Sequence, residues 1–458
     1  MWVWLPQRVV ACRIAPGWGI GGAIGSSQRS LDPMVTDAEA RVLSAIDDGR
    51  TVELLTELVR VPSVTGSDAE SDLQHRCRAL LDGSGLETDA WRIDLDELSA
   101  DPEFPGTEVE RTEAYGIVGT TTGEGVPALI LQGHVDVVPT GDLDKWEGSD
   151  PFGATIRGGI LHGRGACDMK GGLAAILVAV EALRTAGIEL ARPLAVHTVV
   201  SEEDGGLGAF ATMRRGHRGD VAVIPEPTSG KVVVANAGAL TFRLTVHGRA
   251  AHGSVRHEGV SAVNALYPLL AAIDALEERR NRTPDALFAD LACPYPISIG
   301  VVHAGDWASS VPDRLTAEGR MGVIVDEDPD VARAALVEAI ADACARDPWL
   351  REHPATVEWV GGQFASGRLP SAHPLLDEVQ SAVADATGRA RPVPGGAPWG
   401  SDLRLYTGIG GIPSLHFGPG EVKHAHAPRE QVPVADVLDV ARSLALLALR
   451  RCGVRSTG

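Results

Sequence analysis

The spacing of apolar residues separates helical from extended segments along the chain. From Thr36 to Leu86, apolar residues recur at helical intervals in two segments, divided by the stretch VPSVTG at residues 61–66. Four later apolar runs are too short for helices and are bounded by charged or glycine-rich turns: ALILQ (128–132), LAVHTVV (194–200), VAVI (221–224) and SLHF (414–417). These runs predict buried strands. Because a helical segment at residues 172–186 lies between the first two, the pattern predicts an α/β fold with a mixed, largely parallel sheet flanked by helices.

Residues 238–358 follow a different pattern. The stretch ALTFRLTVHGR alternates apolar and polar residues, which is typical of a strand with one face in water. A helix, two strands, a second helix and a last strand follow it, at residues 260–280, 297–302, 316–325, 329–346 and 356–360. This β-α-β-β-α-β order is the split βαβ pattern of a ferredoxin-like α+β module. We therefore predict a leader at 1–33, a catalytic domain in two parts at 34–237 and 359–458, and an inserted lid or dimerisation module at 238–358.

The first 33 residues show neither a helical nor a strand period. The stretch GWGIGG (17–22) matches GxGxxG, but it follows no apolar strand and opens no helix, so the match does not predict a dinucleotide site. The stretch VVAC (9–12) imitates a lipoprotein cleavage site, but Arg8 interrupts an apolar core that is already too short. We interpret 1–33 as a disordered or non-native leader and Met34 as the natural start.

The composition excludes several classes of function. Hydrophobic residues make up 44% of the 458-residue chain and charged residues 22%, which is typical of a globular protein with two or more domains. The formal charge of −20 disfavours nucleic acid and anionic lipid as partners, and no apolar run reaches the ~18 residues that a membrane span needs. The six cysteines are scattered without a CxxC pair. This pattern argues against a disulfide framework and favours a reducing, cytoplasmic location.

Histidines and carboxylates follow the predicted strands at the point where each strand ends. The first strand leads to His134 and Asp136, the second to Glu202 and Glu203, the third to Glu226, and the fourth to His424 and His426. In addition, Asp168 directly precedes the helical segment at 172–186. Ligands of open α/β sheets bind where the loops converge at the carboxyl ends of the strands. Each position alone is more often a turn or surface residue, but their convergence predicts one site.

These residue types point to a metal. Imidazole and carboxylate ligands without thiolates suit zinc, cobalt or manganese, and five candidates suit two ions that share a bridging carboxylate. In the pair His134 and Asp136, we expect the Asp carboxylate to accept the free ring N–H of the histidine. The adjacent carboxylates of Glu202 and Glu203 are expected to point in different directions, so that one binds metal while the other takes a proton from water.

The stretch HGRGACDMKGG (162–172) is compatible with three roles: a phosphate loop, a helix cap and a support for Asp168. The phosphate-loop motif GxxxxGK[ST] fails, because Met169 precedes Lys170 and Gly171 follows it. The chain also lacks a GxSxG elbow, and Cys167 has no local signature of a Cys–His nucleophile. A support for Asp168 is favoured over the helix cap, because four other candidate ligands lie at strand ends.

The sequence resembles the M20 metallopeptidases, a family of two-metal amidohydrolases, over about residues 50–450. The motifs that carry the resemblance are GHVDVVPTGD, GRGACDMKGG, SEEDGGLGA, PEPT, GRAAHGS and AHAPRE, in the family's order. The resemblance implies two divalent metal ions, zinc first and cobalt or manganese as alternatives. One ion would be held by His134, Asp168 and Glu226. The other would be held by Asp168, Glu203 and His426, which begins a His-x-x-x-Glu pattern ending at Glu430.

The resemblance also implies roles for residues near the metals. Glu202 is similar to the family's general base and acid, and Asp136 to the residue that orients the metal-binding histidine. In the inserted module, His252 is similar to a residue that reaches the partner subunit's active site and helps to stabilise the oxyanion. Arg320 is similar to an arginine that binds a substrate carboxylate. The loop of Gly400, Ser401 and Asp402 is similar to one that lines the substrate pocket.

The chain departs from the family pattern at two positions. Ser201 stands where the family often has Asp before the Glu pair, and Ser309 stands where the family often has Asn in the lid. Because of the second departure, the resemblance does not define the substrate contact made by this loop. It also does not define which enzyme of the family the chain corresponds to. The resemblance further implies a cis peptide bond between Asp168 and Met169.

The function expected from these features is hydrolysis of the amide bond of a small N-acyl amino acid, as in acetylornithine deacetylase, by a cytoplasmic homodimer that pairs through the inserted module. In the implied reaction, Glu202 takes a proton from water and later returns it to the leaving amine. Alternatives within the family are a succinyl-diaminopimelate desuccinylase, a dipeptidase or carboxypeptidase, and a small-amine deformylase. The alternative from another class is a catalytically silent, metal-binding dimeric scaffold.

Overall fold

The computed structural model describes residues 35–147 and 149–455. The predictions for the leader at 1–33 and for a start at Met34 lie outside these residues. Within the described part, no helix combines the length and the apolar character that a membrane span requires.

The described residues form sixteen strands and eleven α-helices. The strands are β1 Glu87–Arg92, β2 Tyr115–Thr120, β3 Leu129–His134, β4 Thr155–Arg157, β5 Ile160–His162, β6 Leu194–Val199, β7 Ala222–Pro227, β8 Val232–Asn236, β9 Gly238–His247, β10 Ile297–Ala304, β11 Arg314–Val323, β12 Thr356–Phe364, β13 Gly367–Arg368, β14 Pro394–Ala397, β15 Ser414–Gly418 and β16 Gln431–Pro433. The helices are α1 Asp37–Ser44, α2 Asp48–Arg60, α3 Asp68–Gly83, α4 Leu95–Ser99, α5 Gly171–Thr185, α6 Leu207–Arg214, α7 Ala262–Arg280, α8 Pro329–Arg346, α9 Leu375–Thr387, α10 Leu403–Thr407 and α11 Val434–Cys452.

A nine-stranded mixed sheet forms the centre of the fold. Its order is β1-β2-β6-β3-β7-β15-β8-β13, with β14 paired to β8. The neighbours β6, β3, β7 and β15 run parallel, whereas β1 and β2 at one edge and β13 near the other pair antiparallel. This arrangement confirms the predicted largely parallel sheet flanked by helices. All four predicted strand runs belong to the parallel part, so their carboxyl ends meet at one edge.

Helix α5 shows why the sheet is covered on its faces. Its sequence GGLAAILVAVEALRT is apolar on nearly every side, and most of its residues are fully buried. A helix that is apolar all round belongs in a protein core. Accordingly, α5 packs between the sheet and the helices α2 and α11. The same packing holds the amino end of α5, next to Asp168, at the edge of the sheet.

The helical region before the sheet contains one helix more than the pattern predicted. The segment before residue 61 divides into α1 and α2, because the Asp47 side chain accepts a hydrogen bond from Arg50 N and caps the second helix. Thr36 and Glu39 form a reciprocal capping box at the start of α1. Capping side chains, rather than apolar spacing, thus set this boundary.

Residues 238–364 build a second, four-stranded sheet. Its order is β10-β11-β9-β12, all pairs are antiparallel, and α7 and α8 pack against it. The order β9-α7-β10-β11-α8-β12 is the predicted split βαβ pattern. A separate apolar core that includes Leu244, Leu269 and Leu336 lies between this sheet and its helices. We call this part the inserted module.

Candidate metal centre

All the predicted metal-binding side chains lie together at the carboxyl ends of the parallel strands. His134 is the last residue of β3, and the Glu202–Glu203 pair follows β6 after two intervening residues. His426 lies beyond β15. Asp168 lies in the kinked stretch Ala166–Lys170 directly before α5, and its own backbone is extended, with φ −120° and ψ 97°. Glu226 lies within β7, because this strand continues past the predicted end at residue 224. The sheet therefore delivers the predicted donors to one place.

Asp168 faces two histidines with its two carboxylate oxygens. The Oδ1 atom lies 3.2 Å from His134 Nε2, and the Oδ2 atom lies 3.4 Å from His426 Nε2. On the first side, Glu226 Oε1 is 3.5 Å from His134 Nε2. On the second side, Glu203 Oε2 is 2.9 Å from His426 Nε2. The donors thus form two groups that share Asp168.

Glu202 also lies within this cluster. One donor atom from each of His134, Asp168 and Glu203 falls within 4.8 Å of the others, and the same holds for His134, Glu202 and Glu226. Proximity alone therefore allows Glu202 to bind metal or to act as a base beside it. The metal content of a Glu202→Ala variant separates these two roles.

The cluster carries an excess of buried carboxylates. Burial raises the pKa of Glu226, and the charge of Asp168 raises it further. Burial likewise raises the pKa of Glu202, although the nearby His134 opposes the shift. The pKa of His426 rises to about 11, mainly through the charge of Glu203. Like charges held this close in a buried site favour a bound cation.

The donor set fits a divalent metal ion. Glu203 Oε1 is buried and has no hydrogen-bond partner among the described residues, so this oxygen is free to bind a cation. The donors are imidazole nitrogens and carboxylate oxygens without a thiolate, which suits zinc, cobalt or manganese. The arrangement can therefore hold divalent metal between His134, Asp168, Glu226, Glu203 and His426.

Asp136 makes different contacts from those expected. His134 Nδ1 lies 2.9 Å from the main-chain oxygen of Asp136 but 3.6 Å from its carboxylate. The carboxylate instead accepts hydrogen bonds from the main-chain N–H groups of Glu202 at 3.2 Å and Glu203 at 3.1 Å, and from the Thr65 hydroxyl. The expected hydrogen bond to the Asp136 carboxylate is therefore wrong, because strand β6 brings the N–H groups of the next loop closer. Asp136 fixes His134 by its backbone and the two glutamates by its side chain.

Glu430 supports the backbone of Asp168. Its Oε1 atom accepts hydrogen bonds from the N–H groups of Cys167 at 2.9 Å and Asp168 at 3.0 Å. Its Oε2 atom pairs with the Arg164 guanidinium at 2.6 Å, and both side chains are almost fully buried. The peptide bond between Asp168 and Met169 is cis, as the resemblance implied. The sequence signal for this support was the spacing from His426 to Glu430.

A cavity of about 180 Å³ opens beside the cluster. Gly400 and Ser401 line it, as expected, whereas Asp402 does not. Ser401 Oγ lies 2.9 Å from His416 Nε2, which holds the loop against β15. Trp399 also lines the cavity and was not predicted, although its position next to Gly400 was a usable signal. The other lining residues are Asp168, Glu202, Glu203, Glu226, Pro227, Val422, Ala425 and His426.

His252 and Arg320 do not reach this cavity within the chain. His252 is exposed on the inserted module, and its Nδ1 atom lies 2.7 Å from the Ser254 hydroxyl. Arg320 lies on β11 and donates a hydrogen bond of 3.2 Å to the main-chain oxygen of Pro398. The Arg320 guanidinium therefore contacts Pro398, the residue before Trp399, and is not among the residues that line the cavity.

Two buried histidines predict a loss of stability in acid. Burial lowers the pKa of His197 and of His416 to about 3, from 6.5 in an unfolded chain. Below pH 6.5 the unfolded chain therefore binds protons that the native protein does not. The stabilising contribution is complete above that pH and decreases towards pH 3, by about 1.4 kcal/mol per pH unit for each histidine.

This expectation is tested by urea unfolding of metal-free protein between pH 7.5 and 5. His197→Gln should reduce the slope of the unfolding free energy against pH by the contribution of one proton, about 1.4 kcal/mol per pH unit. His257→Gln is the matched control, because the His257 side chain is 73% exposed. Equal slopes for wild type and His197→Gln would contradict the expectation.

Residues 130–450 match the family described as peptidase family M20/M25/M40. The match covers more than half of the chain and contains every candidate metal-binding residue. The chain belongs to peptidase family M20/M25/M40. The resemblance stated from the motifs is thereby confirmed. The family assignment implies a hydrolase that cleaves amide bonds and uses divalent metal.

Relatives in the M20 family differ in their named substrates. The chain is 26% identical to the N-formyl-4-amino-5-aminomethyl-2-methylpyrimidine deformylase of Halalkalibacterium halodurans, covering 86% of this chain and 91% of the relative. It is 27% identical to the acetylornithine deacetylase of Proteus mirabilis, covering 84% of this chain and 92% of the relative. It is 29% identical to the succinyl-diaminopimelate desuccinylase of Variovorax paradoxus, covering 74% of this chain and 83% of the relative. These similarities leave the substrate within the M20 family open.

The M20 fold is also shared with solved structures. The dipeptidase Dug1p of Saccharomyces cerevisiae superposes with a TM-score of 0.73 at 15% identity, covering 90% of this chain and 98% of that chain. At this level of identity, the likeness supports the fold alone.

Proposed function

We propose that the protein hydrolyses the amide bond of a small N-acyl amino acid, as an acetylornithine deacetylase does, with two divalent metal ions and a glutamate base. The observation that carries this proposal is the placement of Asp168 between two histidine-containing groups, with Glu202 beside both groups. The named substrates of the deacetylase, desuccinylase and deformylase relatives agree with this class of reaction.

The residues divide the proposed work between binding and proton transfer. His134, Asp168 and Glu226 would hold one ion, and Asp168, Glu203 and His426 the other. When bound, divalent zinc, cobalt or manganese supplies a Lewis acid that polarises the scissile carbonyl and favours ionisation of water. Glu202 accepts the proton of the attacking water and passes it to the leaving amine. Burial raises the pKa of Glu202, which suits a carboxylate that must both accept and return a proton.

The cavity favours a small, uncharged acyl group. Among the described residues that line it, the side chains outside the carboxylate and histidine cluster are Pro227, Trp399, Ser401, Val422 and Ala425, and none is Lys or Arg. A succinyl group would bring a second carboxylate, and no Lys or Arg side chain of the described lining is present to pair with it. The second candidate function is therefore hydrolysis of an N-formyl amine, ahead of desuccinylation.

A substrate screen tests the proposal. The protein is freed of metal with a chelator, reloaded with Zn²⁺, Co²⁺ or Mn²⁺, and assayed against matched acetyl, formyl and succinyl amines and against simple dipeptides. We expect hydrolysis of an acetyl or formyl substrate, loss of activity on chelation and recovery on reloading. Metal binding without hydrolysis of any substrate would instead favour the silent scaffold.

We also propose that the protein forms a homodimer through the inserted module. Strand β10 is an edge strand of the second sheet, and Val301 and Val302 on it are 43% and 49% exposed. Nearby Trp307 is 72% exposed. Exposed apolar residues on an edge strand are typical of a surface that pairs with another chain. The exposed His252 would then serve the active site of the partner subunit.

Mixed dimers test this arrangement. Glu202→Ala and His252→Ala subunits are each expected to form homodimers of very low activity. Coexpression creates mixed dimers in which one site combines an intact Glu202 with the partner subunit's His252, so activity should recover to about a quarter of wild type. A mixture that remains inactive, or a monomer in analytical ultracentrifugation, would refute the shared site.

The cytoplasmic location expected from the sequence remains part of the proposal. It is supported by the cysteines of the described residues, which are all free.

A further inference from the structure

The loop that carries Glu202 and Glu203 has a strained start. Ser201 precedes the pair, is completely buried and has a φ of 62°, in the left-handed region that residues other than glycine seldom adopt. A conformation of this kind persists only where surrounding contacts hold it. The contacts at Ser201 therefore decide where the next two side chains point.

Two buried carboxylates hold Ser201. Glu70 Oε1 accepts a hydrogen bond of 2.8 Å from Ser201 N, and Asp204 Oδ1 accepts one from the Ser201 hydroxyl. Ser201 stands where the M20 pattern often has Asp, and here Asp204, three residues later, supplies a carboxylate beside it. The loop is thus held through both the main chain and the side chain of its first residue.

Arg111 connects these two carboxylates. Its Nη1 atom donates to Glu70 Oε2 at 2.9 Å, and its Nη2 atom lies 3.3 Å from Asp204 Oδ1. The exposed fraction is 4% for the Arg111 side chain, 2% for Glu70 and 4% for Asp204. A guanidinium that bridges two buried carboxylates fixes their separation as well as neutralising their charge.

The chain segment around Arg111 also touches the loop directly. Asp204 Oδ2 accepts a hydrogen bond of 3.1 Å from Val109 N. A Cβ atom on Gly205 would lie 2.0 Å from Gly106 O, so the two backbones pack without room for a side chain. Residues 106–111, none of which lines the cavity, therefore support this loop.

We propose that Arg111 is a positioning residue, which acts through Glu70 and Asp204 to hold the loop so that Glu202 points at the reacting atoms. Arg111 lies outside the residues that line the cavity, so it acts on the rate of the chemical step and leaves substrate binding nearly unchanged. This proposal rests on the proposed role of Glu202.

The test compares Arg111→Met with a matched control. Arg280→Met removes another buried arginine, which pairs with Glu327 in the inserted module with side-chain exposures of 6% and 13%. Arg111→Met is expected to lower kcat by about 100-fold with KM within about twofold of wild type. Added guanidinium ions should restore part of this loss. Arg280→Met is expected to lower the melting temperature and to leave kcat within about twofold of wild type.

Hydrogen exchange supplies a readout that does not need turnover. In metal-free protein, Arg111→Met should increase exchange in the peptide covering residues 200–206 by about tenfold or more, while Arg280→Met should not. If Arg111→Met does not fold, Asp204→Asn is used in the same comparison. If the wild-type protein hydrolyses no substrate, the proposed function is overturned. The exchange rates of residues 200–206 would still test whether Arg111 holds the loop.

Unchanged kcat in a folded Arg111→Met variant would overturn the positioning role. So would unchanged exchange of the loop peptide, or equal losses of kcat in Arg111→Met and Arg280→Met.

Discussion

Replacing Glu202 with alanine is expected to lower kcat by about 10³–10⁴-fold, or about 4–5.5 kcal/mol of transition-state stabilisation, while the bound metal remains. The reason is that the variant loses the group proposed to move the proton, but keeps both histidine-containing groups that share Asp168. Mass spectrometry measures whether the metal remains bound, and steady-state kinetics on the same sample measure the loss of kcat.

The result also decides between two geometric possibilities. Glu202 lies within reach of His134 and Glu226, so it could be a ligand in its own right. If Glu202→Ala loses metal in proportion to activity, then Glu202 is a ligand and the base must be sought elsewhere. Glu181→Gln is the matched control, because Glu181 pairs with Arg50 away from the site. Full activity of Glu202→Ala would refute the proposed mechanism.

Replacing Asp168 with alanine is expected to weaken both proposed metal sites at once. The two carboxylate oxygens of Asp168 face different histidines, so one substitution removes a donor from each group. His426→Ala, by contrast, should weaken the second site alone. We expect about one ion per chain in His426→Ala and less than one in Asp168→Ala, with turnover reduced by about 10³-fold or more in Asp168→Ala.

Calorimetric titration of the metal-free proteins with Zn²⁺ or Co²⁺ measures the number of ions that each variant binds. Two tight sites in Asp168→Ala would show that Asp168 is not shared. One tight site in wild type would exclude the pair of ions, while leaving a single-metal hydrolase possible. Thermal unfolding of each variant without metal shows whether any loss reflects folding rather than binding.

Much of the fold could be predicted because its signals are local. The helix predicted at residues 329–346 has the same bounds as α8, and the four short apolar runs all became strands of the central sheet. Apolar spacing records which side of an element is buried, and this is a property of neighbouring residues. The missed division between α1 and α2 depended on the Asp47 cap, which apolar spacing does not record.

The candidate site was predicted to the level of residues but not to the level of contacts. His134 and Glu203 could be chosen because they follow predicted strands, and parallel strands end at one edge. The partner of the Asp136 carboxylate could not be chosen, since β6 brings Glu202 N and Glu203 N to it from far along the chain. No comparable signal marked Arg111, because it lies in an irregular segment before β2.

The sequence by itself therefore determined the fold class, the family and the choice of candidate donor residues, because each depends on residue type and on spacing within one element. Only the tertiary structure decided which oxygen of Asp168 faces which histidine, that Trp399 lines the cavity, and that Arg111 supports the loop of Glu202. These features depend on distances between elements that are remote in the chain. Packing of the sheet, its helices and the crossing loops sets those distances, and no periodicity in the sequence records them.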